Sequence, residues 1–264
     1  MLDLDIDYVD RKDMNRLSTE ERARILHLLC EGMSIRAVTR LTGASKNTVT
    51  KLLIDAGKVC MAYHDEHVRD VKAKRVQVDE IWSFTYAKQK NVADAKAAPD
   101  GAGDTWTWTA IDADSKLIVS YFVGGRDGQC AMWFMGDLAS RLATRVQLTS
   151  DGHRAYLEAV EGAFGADVDY AQLVKIYGAS PDSGKGRYFT RLTNGFSKKV
   201  ENHAYAVALH MMYYNFVRIH KTLRVTPAVA AGMSDRLWEI GDIAALVDAA
   251  EAAPKKPGPY KKEV

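Results

Sequence analysis

Residues 75–86 read RVQVDEIWSFTY. Val76, Val78, Ile81, Trp82 and Phe84 make the stretch β-prone and mostly apolar, yet Asp79 and Glu80 sit in its middle. A strand buried on both faces reads as a nearly continuous hydrophobic run. A carboxylate inside such a run is costly unless something pairs with it. Side chains alternate between faces along a strand, so Asp79 and Glu80 are expected to point opposite ways, with only one entering a given site. The plainer reading is an edge strand with one acid solvated and the other salt-bridged. The segments on either side decide between the two.

Upstream, Ser18 is followed three residues on by Glu21, the spacing of a capping box, and Ile25, Leu26, Leu28 and Leu29 supply the apolar face of the helix it opens. Gly32 ends that helix. Ser34 caps a second, IRAVTRLT, broken by Gly43, and Ser45 caps a third, KNTVTKLLIDAG. Three short helices with a turn at Thr42-Gly43-Ala44 predict a helix-turn-helix unit. Its expected core is Ile35, Val38, Leu41, Val49, Leu52 and Leu53. Lys46, Asn47, Thr48, Thr50 and Lys51 are left at the start and outer face of the third helix, where base edges and phosphates are read, with Arg36 beside them. A three-helix bundle without a ligand is the alternative. Residues 57–75 read as a polar helical connector. His64 and His67 in it have the i, i+3 spacing of a metal pair, but no further ligand is nearby, so a solvated turn is expected.

Downstream, a polar loop over 89–104 precedes two strands, TWTWTAID and KLIVSYFVGG, joined by a turn at Ala113-Asp114-Ser115. A helix is predicted over 129–143, with Met132, Trp133, Met135, Leu138 and Leu142 inward. Then follow a strand over 145–149 ending at Ser150-Asp151-Gly152, a helix over 155–164, a strand over 168–177 and a last helix over 197–220. Three strands, helix, strand, helix, strand and helix is the order of an RNase H-like α/β domain with a mixed five-stranded sheet. In that order the first strand lies beside the carboxyl end of the fourth, so Asp79 and Asp151 converge. Two close carboxylates repel unless a cation lies between them, and oxygen ligands suit Mg²⁺. For Asp151 alone, a helix cap or Asx turn is the simpler role.

The chain of 264 residues is 47% apolar, enough for a sizeable core, and its formal charge is only +2. The basic residues are clustered instead. Lys185, Arg187, Arg191, Lys198 and Lys199 occur without an acid among them, and Lys255, Lys256, Lys261 and Lys262 follow Pro254. Cys30, Cys60 and Cys130 are widely spaced and form no CxxC, which argues against a disulfide framework or a cysteine zinc site. No apolar run is long enough to span a membrane, and a cytoplasmic, nucleoid-associated protein is expected.

VDEIWSF, TAIDADSKLIVSY, SDGHRAY, FTRLTNGFSKKVENHA and YYNFVRIHKTLRVTPAVAAGM together resemble insertion-sequence transposases of the DDE type, particularly the insertion-sequence-one family. The resemblance runs from about Arg75 to Met233. It implies metal-dependent hydrolysis at element ends and strand transfer, with two divalent ions, Mg²⁺ or Mn²⁺. It implies double-stranded DNA as partner, both terminal repeats and target, with a homo-oligomer possible on the DNA. By motif, the first acid is Asp79 and the second Asp151, as catalytic and metal-binding residues. The family's third acid, a glutamate in a Y-[VIL]-E-R-x-N motif, has no counterpart here. Tyr177-Gly178 leads through Tyr188 straight into Phe189-Thr190-Arg191, which implies an internal deletion near 178–190. Glu201 belongs to the KKVENH segment instead. Asn215, Arg218, His220, Leu223 and Pro227 resemble the family's terminal pattern, with His220 read as packing.

The expected organisation is an acidic leader (1–17), a helix-turn-helix domain (18–56), a connector (57–75), a transposase domain (76–233) and a C-terminal helix with a basic tail (234–264). The expected function is that of a transposase impaired by the loss of its third acid. The alternatives are a non-catalytic DNA-binding protein or transposition repressor, or a nuclease completed by Glu201.

Overall fold

The computed structural model describes residues 16–173 and 198–251. Most of the acidic leader, the join near 178–190, most of the basic run before Lys198, and the tail after Glu251 lie outside the described residues. So does the fifth strand beyond Leu173.

Helix α1 (Thr19–Cys30) opens with the expected capping box, in which Glu21 N donates to Ser18 Oγ and Ser18 N to Glu21 Oε2. Ser34 caps α2 (Ile35–Thr42), and Gly43 ends it at φ 75°, a left-handed conformation that glycine adopts without a Cβ penalty. Ser45 caps α3 (Lys46–His67). Val38, Val49, Leu52 and Leu53 are buried as expected, but Leu41 is 49% exposed. Only Val38 of α2 is buried, and Leu41, a turn further on at the end of the helix, extends past the core that Val38 joins.

The third helix does not stop at Gly57. It runs uninterrupted for 22 residues through the segment read as a connector. Gly57 is where α6 (Val200–Met212) crosses it: a Cβ there would lie 2.3 Å from Tyr205 Cβ and 2.6 Å from its backbone. The glycine therefore marks a close helix–helix approach, not a helix end. His64 is likewise no solvated turn. It is 3% exposed, and its Nε2 lies 3.2 Å from the Ile118 carbonyl. His67 stays exposed and stacks on Tyr63.

The sheet has the order β3-β2-β1-β4-β5. Strand β1 (Arg75–Thr85) is central, which removes the edge-strand reading. It pairs antiparallel with β2 (Gly103–Asp112) and parallel with β4 (Val146–Asp151). Strand β3 (Ile118–Gly124) completes the hairpin with β2, and β5 (Val168–Leu173) extends the parallel half. This order, with β2 alone running against its neighbours, is that of an RNase H-like domain, as the element sequence predicts.

Helices α4 (Gly128–Arg141) and α5 (Ala155–Phe164) follow β3 and β4, and their buried side chains join those of the sheet face carrying Val76, Val78, Trp108, Ala110 and Leu148. The buried arc of α4 is Cys130, Ala131, Phe134, Met135, Leu138 and Arg141. At about 100° per residue, Met132 and Trp133 fall outside that arc, so they are exposed rather than inward. On the other face, Val207 and Met211 of α6 pack on Ile118, with Ile111 and Val123 against them.

After α6 a single π-helical turn, Tyr213–Val217, ends the helix short of His220. That turn carries Asn215, which is fully buried. Its Oδ1 accepts from Ile118 N and its Nδ2 donates to Ile118 O, both at 2.9 Å. The asparagine of the terminal motif thus satisfies the backbone of β3 next to the Ala110/Ile111 bulge. A short helix α7 (Pro227–Ala230) leads to α8 (Ile240–Ala250), which packs back on α1 and α3. Arg22, nearly buried, meets Asp248 at 2.9 Å and Glu251 at 3.0 Å. The helix-turn-helix unit and the sheet domain therefore share one continuous apolar core.

Candidate functional site

Two regions carry the residues singled out in the sequence. In the first, parallel pairing between β1 and β4 ends at Gln77–Thr149, so Asp79 and Asp151 project where the two strands part. One oxygen each from Asp79, Glu80 and Asp151 lies within 4.8 Å of the others. Among the described residues this is the one such grouping of metal-ligating side chains, and Glu201 does not join it.

The expectation that only one of the adjacent acids could enter the site needs correction. Asp79 and Glu80 do occupy opposite faces, one exposed and one buried. Both reach the same point because the site lies beside β1, past its last pair with β4, where a side chain from either face can bend round the strand edge. The simple role for Asp151 is present too: its Oδ1 accepts from His153 N at 3.0 Å, an Asx turn leading toward α5. Asp79 Oδ1 similarly accepts from Glu80 N at 2.8 Å. Both acids keep one oxygen in local backbone bonding.

Glu80 was not singled out as a site residue. Its side chain is 1% exposed and is met by Arg126, whose Nη2 lies 3.1 Å from Glu80 Oε2 and 3.8 Å from Asp151 Oδ2. The Arg126 guanidinium also stacks on Trp106, 4.7 Å from the ring centroid. Glu80 Oε1 and the Tyr156 hydroxyl face each other without completing a hydrogen bond, and His153 Nδ1 is also buried without a partner. Burial pushes the Glu80 carboxyl above its ordinary range and Asp151 adds to the rise, while Tyr156 and Arg126 oppose it. Burial and the Glu80 charge in turn raise the Tyr156 hydroxyl. The sequence signal for Glu80 was its place inside an apolar run. Arg126 left none, because it sits in a glycine-rich turn, GGRDG.

In the second region, Arg36, Lys46, Asn47 and Lys51 are exposed, and Thr48 and Thr50 are half-buried. Thr48 Oγ1 bonds Ser45 Oγ at the cap, and Lys51 Nζ donates to Asp55 at 2.5 Å. Thr48 and Lys51 also line a cleft with Arg16, Arg22 and Glu251. These two therefore look toward the end of α8, while Lys46 and Asn47 stand at the open start of α3.

Residues 14–53 match the family model of a helix-turn-helix domain. Among curated proteins no match is found. Among solved structures, the chain is similar to Mos1 transposase in a paired-end complex with the left transposon end, with 14% identity and a TM-score of 0.25. That match covers 60% of this chain and 59% of the other, so the chain spans less than two thirds of its length. A likeness so slight carries no argument about function. No helix among the described residues is long and apolar enough to cross a membrane.

Proposed function

We propose that this chain is a transposase-type protein that binds the double-stranded DNA ends of an insertion sequence of the DDE type. Asp79 and Asp151 are its surviving family ligands for divalent cations. The observation that carries this reading is the convergence of Asp79 and Asp151 at the parting of β1 and β4, in a chain whose residues 14–53 match a helix-turn-helix domain. In DDE chemistry the bound ions, Mg²⁺ or Mn²⁺, stabilise the attacking and leaving oxygens of an in-line displacement.

The residues here suit such ions. They are hard oxygen donors, and one of them, Glu80 Oε1, is buried without a partner. Lys46 and Lys51 meet phosphates in this reading and Asn47 reads a base edge, with Arg36, Thr48 and Thr50 flanking them. In this reading the DNA-reading segment, 18–56, and the sheet segment, 76–233, act as one body joined through α3, and the chain assembles on DNA as a homo-oligomer.

The insertion-sequence-one glutamate is missing from the sequence around 178–190, so cleavage and joining are impaired. Misplacement of reacting groups by about 1 Å already costs about 10²-fold in rate. The second reading, a DNA-binding protein that occupies element ends without catalysis, is favoured by the same missing acid. A strand-transfer assay in Mg²⁺ and Mn²⁺ decides between them. It compares the native chain, Glu201→Gln, and a version with a family-like glutamate segment restored before Phe189. End binding without joining is expected for the native chain, and joining only for the restored one. Joining by the native chain that Glu201→Gln abolishes would refute the impairment. Lys46→Ala should lower the slope of log affinity against log salt by about one unit, and Asn47→Ala should relax sequence preference instead.

A further inference from the structure

The buried acid beside Asp79 is the group that neither the family motif nor the DNA-binding reading uses. We propose that Glu80 supplies a third carboxylate to a divalent-cation site with Asp79 and Asp151, and that Arg126 is the resident counter-charge the cation displaces. The proposal rests on the reading of Asp79 and Asp151 as cation ligands.

Three observations carry it. The first is distance: one oxygen of each acid lies within 4.8 Å of the others. Neighbouring oxygen ligands of Mg²⁺ stand about 3 Å apart and opposite ones about 4.2 Å, so side-chain rotations that draw the three oxygens together by about 1–2 Å close the shell.

The second is the state of Glu80. It is 9% exposed as a residue and 1% as a side chain, with Oε1 unpartnered. That oxygen faces the Tyr156 hydroxyl without completing a hydrogen bond, so its burial costs free energy that a cation would return. An exposed acidic patch offers no such orphan.

The third is Arg126. It bridges Glu80 and, more loosely, Asp151, so one positive charge already stands against two of the three acids. The longer contact to Asp151 and the partly exposed guanidinium leave it free to swing out along Trp106. Its withdrawal leaves three carboxylates facing a doubly charged ion. The site is thus poised to trade a built-in cation for a dissolved one, without any residue from 174–197. Cation binding and strand transfer then separate, because holding an ion does not by itself align attacking and leaving oxygens.

The test is titration of the full chain, stripped of divalent ions, with Mn²⁺ followed by its electron paramagnetic resonance signal. Native protein should bind Mn²⁺, and Glu80→Gln should weaken binding by at least about tenfold. Glu201→Gln should leave binding unchanged, and Arg126→Gln should tighten it several-fold. Mg²⁺ should also shift tryptophan emission as the guanidinium leaves Trp106, a change lost in Trp106→Phe. Absence of Mn²⁺ binding, or native affinity in Glu80→Gln, overturns the proposal. Weaker binding in Arg126→Gln overturns the displacement and decides even if Glu80→Gln does not fold. Native affinity in both Asp79→Asn and Asp151→Asn would instead refute the reading of those two acids.

Discussion

His64 gives the fold a definite response to acid. Its ring is 3% exposed at the end of α3, edge-on to Tyr121, with Nε2 against the Ile118 carbonyl. Burial first, and then the nearby Arg141, push its pKa down from 6.5 to about 4, against smaller opposing effects of the Ile118 carbonyl, Asp137 and Asp65. A histidine held neutral in the fold binds its proton less readily than the unfolded chain does. Stability is therefore unaffected above pH 6.5 and falls as pH drops from there toward 4. With those two values the loss is about 2 kcal/mol at pH 5 and about 3 kcal/mol near pH 4. Urea unfolding of the native chain and of His64→Gln at pH 7 and pH 5 checks this. Glutamine can donate to Ile118 but does not titrate. Carboxylates such as Asp137 titrate alike in both proteins and drop out of the difference. The native chain should lose about 2 kcal/mol more than the variant over that interval. An equal loss would show that His64 is not the buried neutral group described, and the docking of α3 on β3 would need another explanation.

Three further outcomes follow from packing and charge. Gly57→Ala should lower the melting temperature, because an overpacking cost of about 1–3 kcal/mol at Tyr205 outweighs the ~1 kcal/mol gained in helix propensity; a rise would mean that α6 does not cross there. Asn215→Leu should destabilise by about 1–3 kcal/mol in urea unfolding, since the buried Ile118 N–H loses its partner while the Ile118 carbonyl keeps His64, and a change under about 0.5 kcal/mol would refute that role. Glu251 meets Arg16 and Arg22 beside the start of α3, so removal of residues 254–264 should reduce the salt dependence of DNA binding by about one unit per lysine that meets a phosphate; an unchanged slope would exclude the tail from the DNA contact.

The parts of the fold that local chemistry controls were legible in the sequence. Ser18, Ser34 and Ser45 cap the helices they precede, and Gly43 turns the chain where a left-handed residue is needed. Strand order followed from the succession of elements. Features set by contacts between distant segments were not legible. Gly57 looked like a helix end because its reason is Tyr205, far along the chain. Met132 and Trp133 looked inward until the start of α4 fixed which arc met the sheet. His64 read as solvated because its partners, Ile118 and Arg141, come from elements that only the fold brings near. At the candidate site, the nearness of Asp79 and Asp151 followed from strand order. Glu80 was set aside by a rule of alternation that holds inside a paired strand and lapses where the pairing ends.

The unbroken run of α3 has a consequence for how such a chain can change. Asn47 at one end and Gly57 further along belong to one rigid screw, so the surface proposed to read DNA and the surface that grips α6 share a helical phase. One residue inserted or lost between them would turn the first against the second by about 100° and shift it by about 1.5 Å. New DNA preferences can then arise by replacing side chains at 46–51, while changes of length in that interval would misdirect any bound DNA relative to the acids beside β1. Spelling is free to drift there, and spacing is not.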